Sequence, residues 1–166
     1  LPPVRLKQVH GCDLCEVHGG EPIREGDGLW THEVGVIIGV QVADCVPVLL
    51  AGPTPRGPWI AALHAGWRGA VSGILRRAVA LYETLGGSPQ NLAWALGPSI
   101  QACHFEVGPE VIAAARADAA WQEGLAHPGP KGKPHLDLQG LLRAQALDLG
   151  LRSDREGSVP RCTVCE

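Results

Sequence analysis

The sequence lacks an apolar run of the roughly 18 residues that a membrane-spanning helix needs. It also lacks a strong charge of either sign, because the formal net charge is only −3. These absences argue against a membrane protein and against a general binder of nucleic acids or membrane surfaces. No signal-peptide pattern is present either. We therefore expect a soluble, cytoplasmic protein.

Methionine is also missing from all 166 residues, so Leu1 is not an initiating residue. The chain is expected to be a fragment or a processed form of a longer protein. Its length fits one domain, residues 1–166, with a sizeable core. No internal repeat, low-complexity segment or domain boundary divides it.

The six cysteines form an even set, which permits either disulfides or metal ligands. A disulfide scaffold is typical of short secreted chains with little core. Here 45% of the residues are hydrophobic, enough for a real core. Metal ligands or reactive thiols are therefore favoured over disulfides.

Apolar runs and helical spacing alternate along the chain. Strands are predicted over residues 4–9, 34–42, 46–50, 59–63 and 92–96. The run 34–42 is rich in Val and Ile, which is typical of a strand buried on both faces. Helices are predicted over 71–85, 109–121 and 138–149, with Asp137 as the N-cap of the last. This alternation predicts a layered α/β or α+β domain.

Three side chains with metal-binding chemistry, His10, Cys45 and His64, each stand at the end of a predicted strand. Two imidazoles and a thiolate suit zinc, with a fourth position left for water or substrate. The alternatives are a buried structural cysteine with two hydrogen-bonded histidines, or a Cys45 nucleophile activated by a histidine. Asp44 either orients one of these histidines or caps a turn.

Residues 64–69 predict a strand–turn–helix junction that contains Arg68. A helix N-terminus, two glycines and a guanidinium favour a phosphate or carboxylate. The alternative is a surface arginine beside a packing tryptophan.

Two Cys-x-x-Cys pairs lie near the ends of the chain. Cys12, Cys15, Cys162 and Cys165 together could form a four-thiolate zinc site that joins the two ends. The alternatives are a redox-labile pair or unconnected thiols. Cys103 beside His104 is interpreted as a packed core pair.

Several motifs, taken in order, resemble the laccase-domain (YfiH-like) family, long labelled multicopper polyphenol oxidases. The motifs are residues 7–11, 27–31, 43–50, 64–69, 97–100, Cys103 and 105–107. The resemblance covers nearly the whole chain. The family's N-terminal segment and C-terminal end are expected to be absent here.

This resemblance implies zinc-dependent enzymes of purine nucleosides, which phosphorolyse adenosine, inosine, guanosine and methylthioadenosine and deaminate adenosine. It implies mixed β-sheets packed between helix layers, α/β/β/α. It also assigns the family's catalytic and metal-binding set to His10, Cys45 and His64. Copper is the alternative metal, but one His–Cys–His set has too few ligands for a multicopper centre.

The preferred interpretation is a zinc enzyme whose partners are purine nucleosides and phosphate, with Arg68 as the phosphate-binding residue. Three rivals stay open: a metal-independent cysteine hydrolase that uses Cys45 and His64, a copper polyphenol oxidase, and a non-catalytic metal-binding module. The oligomeric state is open as well.

Overall fold

A five-stranded mixed β-sheet forms the centre of the computed structural model, which describes residues 2–130 and 132–165. In chain order its strands are β1 (Leu14–Glu16), β2 (Gly28–Thr31), β3 (Val46–Thr54), β4 (Gly57–Ala65) and β5 (Ala93–Leu96). The spatial order is β1-β2-β4-β3-β5; β1 and β2 are parallel, and the other neighbours are antiparallel. A separate hairpin pairs β6 (Ala126–Pro128) with β7 (Pro134–Leu136).

Four α-helices occur in the described part of the chain: α1 (Trp67–Val71), α2 (Ile74–Thr84), α3 (Pro109–Arg116) and α4 (Leu138–Asp148). The apolar sides of α2 and α4 pack with β3, β4 and β5 in the main core, where Trp59 and Tyr82 are the largest fully buried side chains. The predicted class, a layered α/β fold of mixed sheet and helices, is confirmed. None of these helices is long and apolar enough to cross a bilayer.

The β3–β4 hairpin brings the start of β3 beside the end of β4. Val46 pairs with Ala65, and Pro47 pairs with His64. Cys45 immediately precedes β3, so it lies next to the strand end that carries His64. Two residues that are 19 positions apart in the sequence are thus placed together by antiparallel pairing.

The predicted buried strand over residues 34–42 is not formed. This segment is largely exposed, and the Val34 side chain is 90% exposed. Gly35 has a φ of 90°, a left-handed conformation that interrupts an extended chain. Residues 4–9 likewise form isolated bridges rather than a strand, one of them between Val4 and Ile38. An apolar run predicts burial but does not supply the neighbouring strand that a sheet requires.

The predicted helix over 71–85 begins only at Ile74, as α2, because Val71 is the last residue of the separate helix α1. Gly73 lies between them with a φ of 84°, which a right-handed helix does not accommodate. The predicted helix from residue 109 ends at Arg116, earlier than Trp121. The last helix agrees with its prediction to within one residue.

Asp137 caps α4 as the sequence predicts, since its carboxylate accepts a hydrogen bond from the Gly140 backbone N–H at 2.7 Å. We expect Asp137→Ala to lower the free energy of unfolding by about 1 kcal/mol, the usual value of an N-cap. That corresponds to a fall in Tm of roughly 2–4 °C for a chain of this size. Thermal unfolding followed by circular dichroism measures the change. Asp148→Ala, at the opposite end of α4, is the control, because an acidic residue there does not stabilise the helix. An equal loss in both variants would exclude capping as the cause.

Candidate metal centre

The side chains of His10, Cys45 and His64 converge at the end of the β3–β4 hairpin. Their ligand atoms all lie within 4.8 Å of one another, and the two imidazole centroids are 4.8 Å apart. His10 is exposed, Cys45 is partly buried, and His64 is 3% exposed. One side of the cluster therefore faces solvent, and the other is anchored in the protein.

A buried carboxylate fixes the ring of His64. The neighbours of His64 in β4, Leu63 and Ala65, belong to the main core, so His64 points to the other side of the sheet. There its Nδ1 lies 2.8 Å from Oδ1 of Asp27, whose side chain is fully buried. Because an ionised carboxylate only accepts, Nδ1 carries the hydrogen and Nε2 keeps a lone pair for a metal.

The same carboxylate holds the loop that carries His10. Asp27 accepts hydrogen bonds from the backbone N–H groups of Val9 (3.2 Å), His10 (2.9 Å) and Gly11 (2.7 Å). His10 has a φ of 61°, which is uncommon for a residue other than glycine. Burial by itself raises the pKa of Asp27, but the hydrogen bonds from His64 and these N–H groups outweigh it, and the net pKa is lowered. Asp27 is thus kept ionised as a fixed acceptor.

Cys45 lies in surroundings that disfavour a free thiolate. Burial raises the pKa of its thiol, and the charges of Asp44 and Asp27 raise it further. A bound cation reverses this preference, since coordination deprotonates a thiol. One thiolate with two imidazoles is a donor set that fits zinc.

Two glycines allow the backbone to approach these ligands. A Cβ at Gly66 would lie 3.0 Å from Cys45 Sγ and 3.2 Å from His10 Cδ2. A Cβ at Gly69 would lie 2.7 Å from the carbonyl oxygen of Gly11. All three separations are shorter than ordinary van der Waals contacts, so a side chain at either position would push the His10 loop away from the end of β4.

A cleft of roughly 160 Å³ opens beside the cluster. Arg68 stands in its lining, with the guanidinium carbon 4.5 Å from the centroid of the Trp67 ring, a cation–π contact. The helix that begins there, α1, has five residues, so the guanidinium rather than a helix dipole provides the positive charge. The apolar part of the lining comes from Trp67, Ile100, Phe105 and Leu138.

A larger groove of about 590 Å³ lies on the exposed face of β3, β4 and β5. Its lining is mostly apolar and includes Leu49 and Ile60. Neither of the two groups of metal-binding side chains found among the described residues contributes to it. His10 and Cys45 line the smaller cleft instead.

The predicted four-thiolate site of Cys12, Cys15, Cys162 and Cys165 is not formed. Cys15 lies in β1, where its Sγ is 3.6 Å from a backbone carbonyl oxygen, and Cys12 packs against the main core. Cys162 instead forms a bridge to Ser99, shortly after β5. Because β1 and β5 are opposite edges of the sheet, the two Cys-x-x-Cys pairs are held apart.

Cys162 and Cys165 meet Cys103 and His104 instead. The ligand atoms of these four residues all lie within 4.8 Å of one another. Cys103 and His104 are exposed, so their interpretation as a packed core pair is wrong.

Asp27 is the residue of the site that sequence reasoning missed. An Asp-Gly dipeptide is typical of a hairpin turn, but β2 begins at Gly28 and Asp27 is buried. Asp44, which was expected either to orient a histidine or to cap a turn, accepts a hydrogen bond from Thr163 Oγ1 at 2.7 Å. No local pattern distinguishes a buried carboxylate of this kind from one in a surface turn.

The family described as multi-copper polyphenol oxidoreductase laccase matches residues 2–166. A Deinococcus radiodurans protein named purine nucleoside phosphorylase is 41% identical over 141 residues, which cover 84% of this chain and 53% of that protein. A protein of an unknown prokaryotic organism, named adenosine deaminase RL5, is 32% identical over 174 residues, which cover 98% of this chain and 66% of that protein. The chain thus spans between half and two thirds of the length of these relatives.

A solved structure shares the fold. The crystal structure of Bacillus licheniformis hypothetical protein YfiH superimposes with a TM-score of 0.89 at 25% sequence identity. The match covers 98% of this chain and 65% of that one.

We expect Asp27→Asn to weaken zinc binding at the His10 cluster by roughly 10- to 100-fold, since the amide no longer fixes the ring and tautomer of His64. Zinc affinity is measured by competition with a chromophoric chelator. Both test and control carry Cys165→Ser, so that the second cysteine cluster does not contribute. The control is Asp13→Asn, the same change at a side chain that is 81% exposed. Equal affinities in the two folded variants would mean that Asp27 does not orient a ligand.

Proposed function

We propose that this chain, which belongs to the family described as multi-copper polyphenol oxidoreductase laccase, is a zinc-dependent enzyme of purine nucleosides. Its reactions would be phosphorolysis of adenosine, inosine, guanosine and methylthioadenosine, and deamination of adenosine. The names of its relatives, purine nucleoside phosphorylase and adenosine deaminase, support this substrate class. His10, Cys45 and His64 would be the catalytic, metal-binding residues.

One observation carries the proposal: three ligand atoms of suitable type lie within 4.8 Å of one another beside a cleft. Three protein ligands are the usual number in a catalytic zinc site, where the fourth position stays open. His64 also donates a hydrogen bond to the carboxylate of Asp27, as metal-binding histidines usually do through the ring nitrogen that does not bind the metal. Zinc in this position supplies Lewis-acid activation of a water or substrate oxygen.

The protein's own groups would bind and orient the substrate. Trp67 and Phe105 offer aromatic surface to a purine ring. Arg68 offers a planar fork to the phosphate that phosphorolysis consumes. The cleft is smaller than the roughly 300–1,000 Å³ of typical ligand pockets. We therefore infer that the described residues form the part of the pocket that binds the metal and phosphate. Further residues would complete the part that binds the nucleoside.

A metal-independent cysteine hydrolase is the second candidate. It is favoured by the spatial arrangement, since the Cys45 thiol lies within 4.8 Å of a ring nitrogen of His64, whose Nδ1 is hydrogen-bonded to Asp27. The raised pKa of the Cys45 thiol weighs against it, because a cysteine nucleophile works as the thiolate. Copper is the alternative metal, since two histidines and a cysteine also occur in copper sites. The chain has no methionine to serve as their common axial ligand.

We expect Cys45→Ser to lose the zinc of this cluster and the activity on nucleosides, since a hydroxyl is a far poorer zinc ligand than a thiolate. The measurements are the zinc content per chain, which should fall by one relative to the parent chain, and a nucleoside panel assayed with and without phosphate. Cys15→Ser, outside both clusters, is the matched control and should keep both properties.

Two results would contradict the proposal. Turnover that survives complete metal removal would favour the cysteine hydrolase. A zinc-loaded protein that is inactive on the whole panel would favour a non-catalytic metal-binding module.

Arg68→Ala should separate the two activities. Phosphorolysis needs a bound phosphate dianion, and loss of a charge-assisted, bidentate contact should weaken phosphate use by roughly 10- to 100-fold. Deamination of adenosine uses no phosphate and should be largely retained. The phosphate dependence of inosine cleavage is compared with the deamination rate in the same preparation. Arg76→Ala, an exposed arginine outside the cleft, is the control. Equal loss of both activities would mean that Arg68 is structural or contacts the nucleoside.

A further inference from the structure

We propose that Cys103, His104, Cys162 and Cys165 bind a second, structural zinc ion. This site would join the C-terminal segment to the loop that follows β5. Cys162 and His104 are 58 positions apart in sequence, so the site would cross-link two distant parts of the chain. The proposal does not depend on the function proposed above.

Three of the distances within this cluster are those of tetrahedral zinc. Zn–S bonds of about 2.3 Å and Zn–N bonds of about 2.0–2.1 Å place two sulfur ligands about 3.8 Å apart, and a sulfur and a nitrogen about 3.6 Å apart. The Sγ atoms of Cys103 and Cys165 are 3.8 Å apart. Nδ1 of His104 is 3.5 Å from Sγ of Cys162 and 3.5 Å from Sγ of Cys165. A disulfide would need sulfurs about 2.05 Å apart.

Backbone hydrogen bonds hold the two segments in place. The Thr163 backbone N–H donates to the carbonyl oxygen of Ser99 at 3.1 Å, and Cys162 forms a parallel bridge with Ser99. In the facing loop, the His104 backbone N–H donates to the carbonyl oxygen of Gln101 at 2.9 Å, within a turn. The backbone at Cys162 and at His104 is therefore held in place by hydrogen bonds that do not involve a metal.

Three sulfur ligands this close together would repel one another as thiolates, and a dipositive ion at their centre would offset that repulsion and keep all three ionised.

Three thiolates and one imidazole fill a tetrahedral zinc site, which is the pattern of structural rather than catalytic zinc. The loop that carries Cys103 and His104 also reaches the His10 cluster. Ile100 and Phe105 line the cleft there, and the Ile100 backbone N–H donates to the carbonyl oxygen of Asp44 at 2.9 Å. A zinc ion here would therefore fix one wall of that cleft.

The test uses chains that carry Cys45→Ser, so that the outcome is independent of the His10 cluster. After loading with Zn²⁺ and removal of excess metal, elemental analysis should find one zinc per chain. Adding Cys165→Ser should abolish this zinc, whereas Cys165→His, which restores a zinc ligand, should retain it. Adding Cys15→Ser, a cysteine in neither cluster, should leave it unchanged. Zn²⁺ should also raise the Tm of every variant except the one with Cys165→Ser, since metal bound to the folded state alone stabilises it.

Three results would overturn the proposal. The first is an absence of zinc in the Cys45→Ser chain. The second is a zinc content per chain that is the same in the Cys165→Ser variant as in the Cys15→Ser variant. The third is a mass about 2 Da lower under non-reducing conditions with no bound zinc, which would identify a disulfide formed by loss of two thiol hydrogens. Co²⁺ substitution gives an independent check, because its sulfur-to-metal charge-transfer absorption should fall when Cys103→Ser removes one thiolate.

Discussion

The buried carboxylate of Asp27 is the interaction on which the candidate metal centre depends. It receives the Nδ1 hydrogen of His64 from one side and three backbone N–H groups, from Val9 to Gly11, from the other. One ionised group therefore sets the tautomer of a ligand in the sheet and the position of a ligand in a loop. A buried charge without partners is costly, and here four donors compensate its burial.

Close backbone approach is the second constraint. The loop that carries His10 reaches the end of β4 because Gly66 and Gly69 have no side chain to hold it away. The β3–β4 register places Cys45 beside His64. Three separate parts of the chain meet at one point, and each is positioned by backbone geometry rather than by the ligands themselves.

The fold could be predicted from the sequence where an apolar run coincided with a long, paired element. Apolar runs correctly predicted the main strands at 46–50 and 59–63. Helical spacing and the Asp137 N-cap correctly predicted the last helix. The run at 34–42 has the same composition as a buried strand, but it forms no strand and none of its residues is fully buried. Composition reports a preference for burial, whereas strand formation also needs a hydrogen-bonding neighbour, which only the assembled sheet provides.

The sequence by itself determined the chemistry that is available: two imidazoles and a thiolate at the ends of apolar runs, an arginine beside one of them, and two Cys-x-x-Cys pairs. The tertiary structure decided which of these groups meet. Cys162 and Cys165 join Cys103 and His104 rather than Cys12 and Cys15, because the order of strands places β1 and β5 at opposite edges. Residue type and local spacing are properties of the chain alone. Register and strand order arise from the pairing of strands that are distant in the sequence, and no local pattern predicts that pairing.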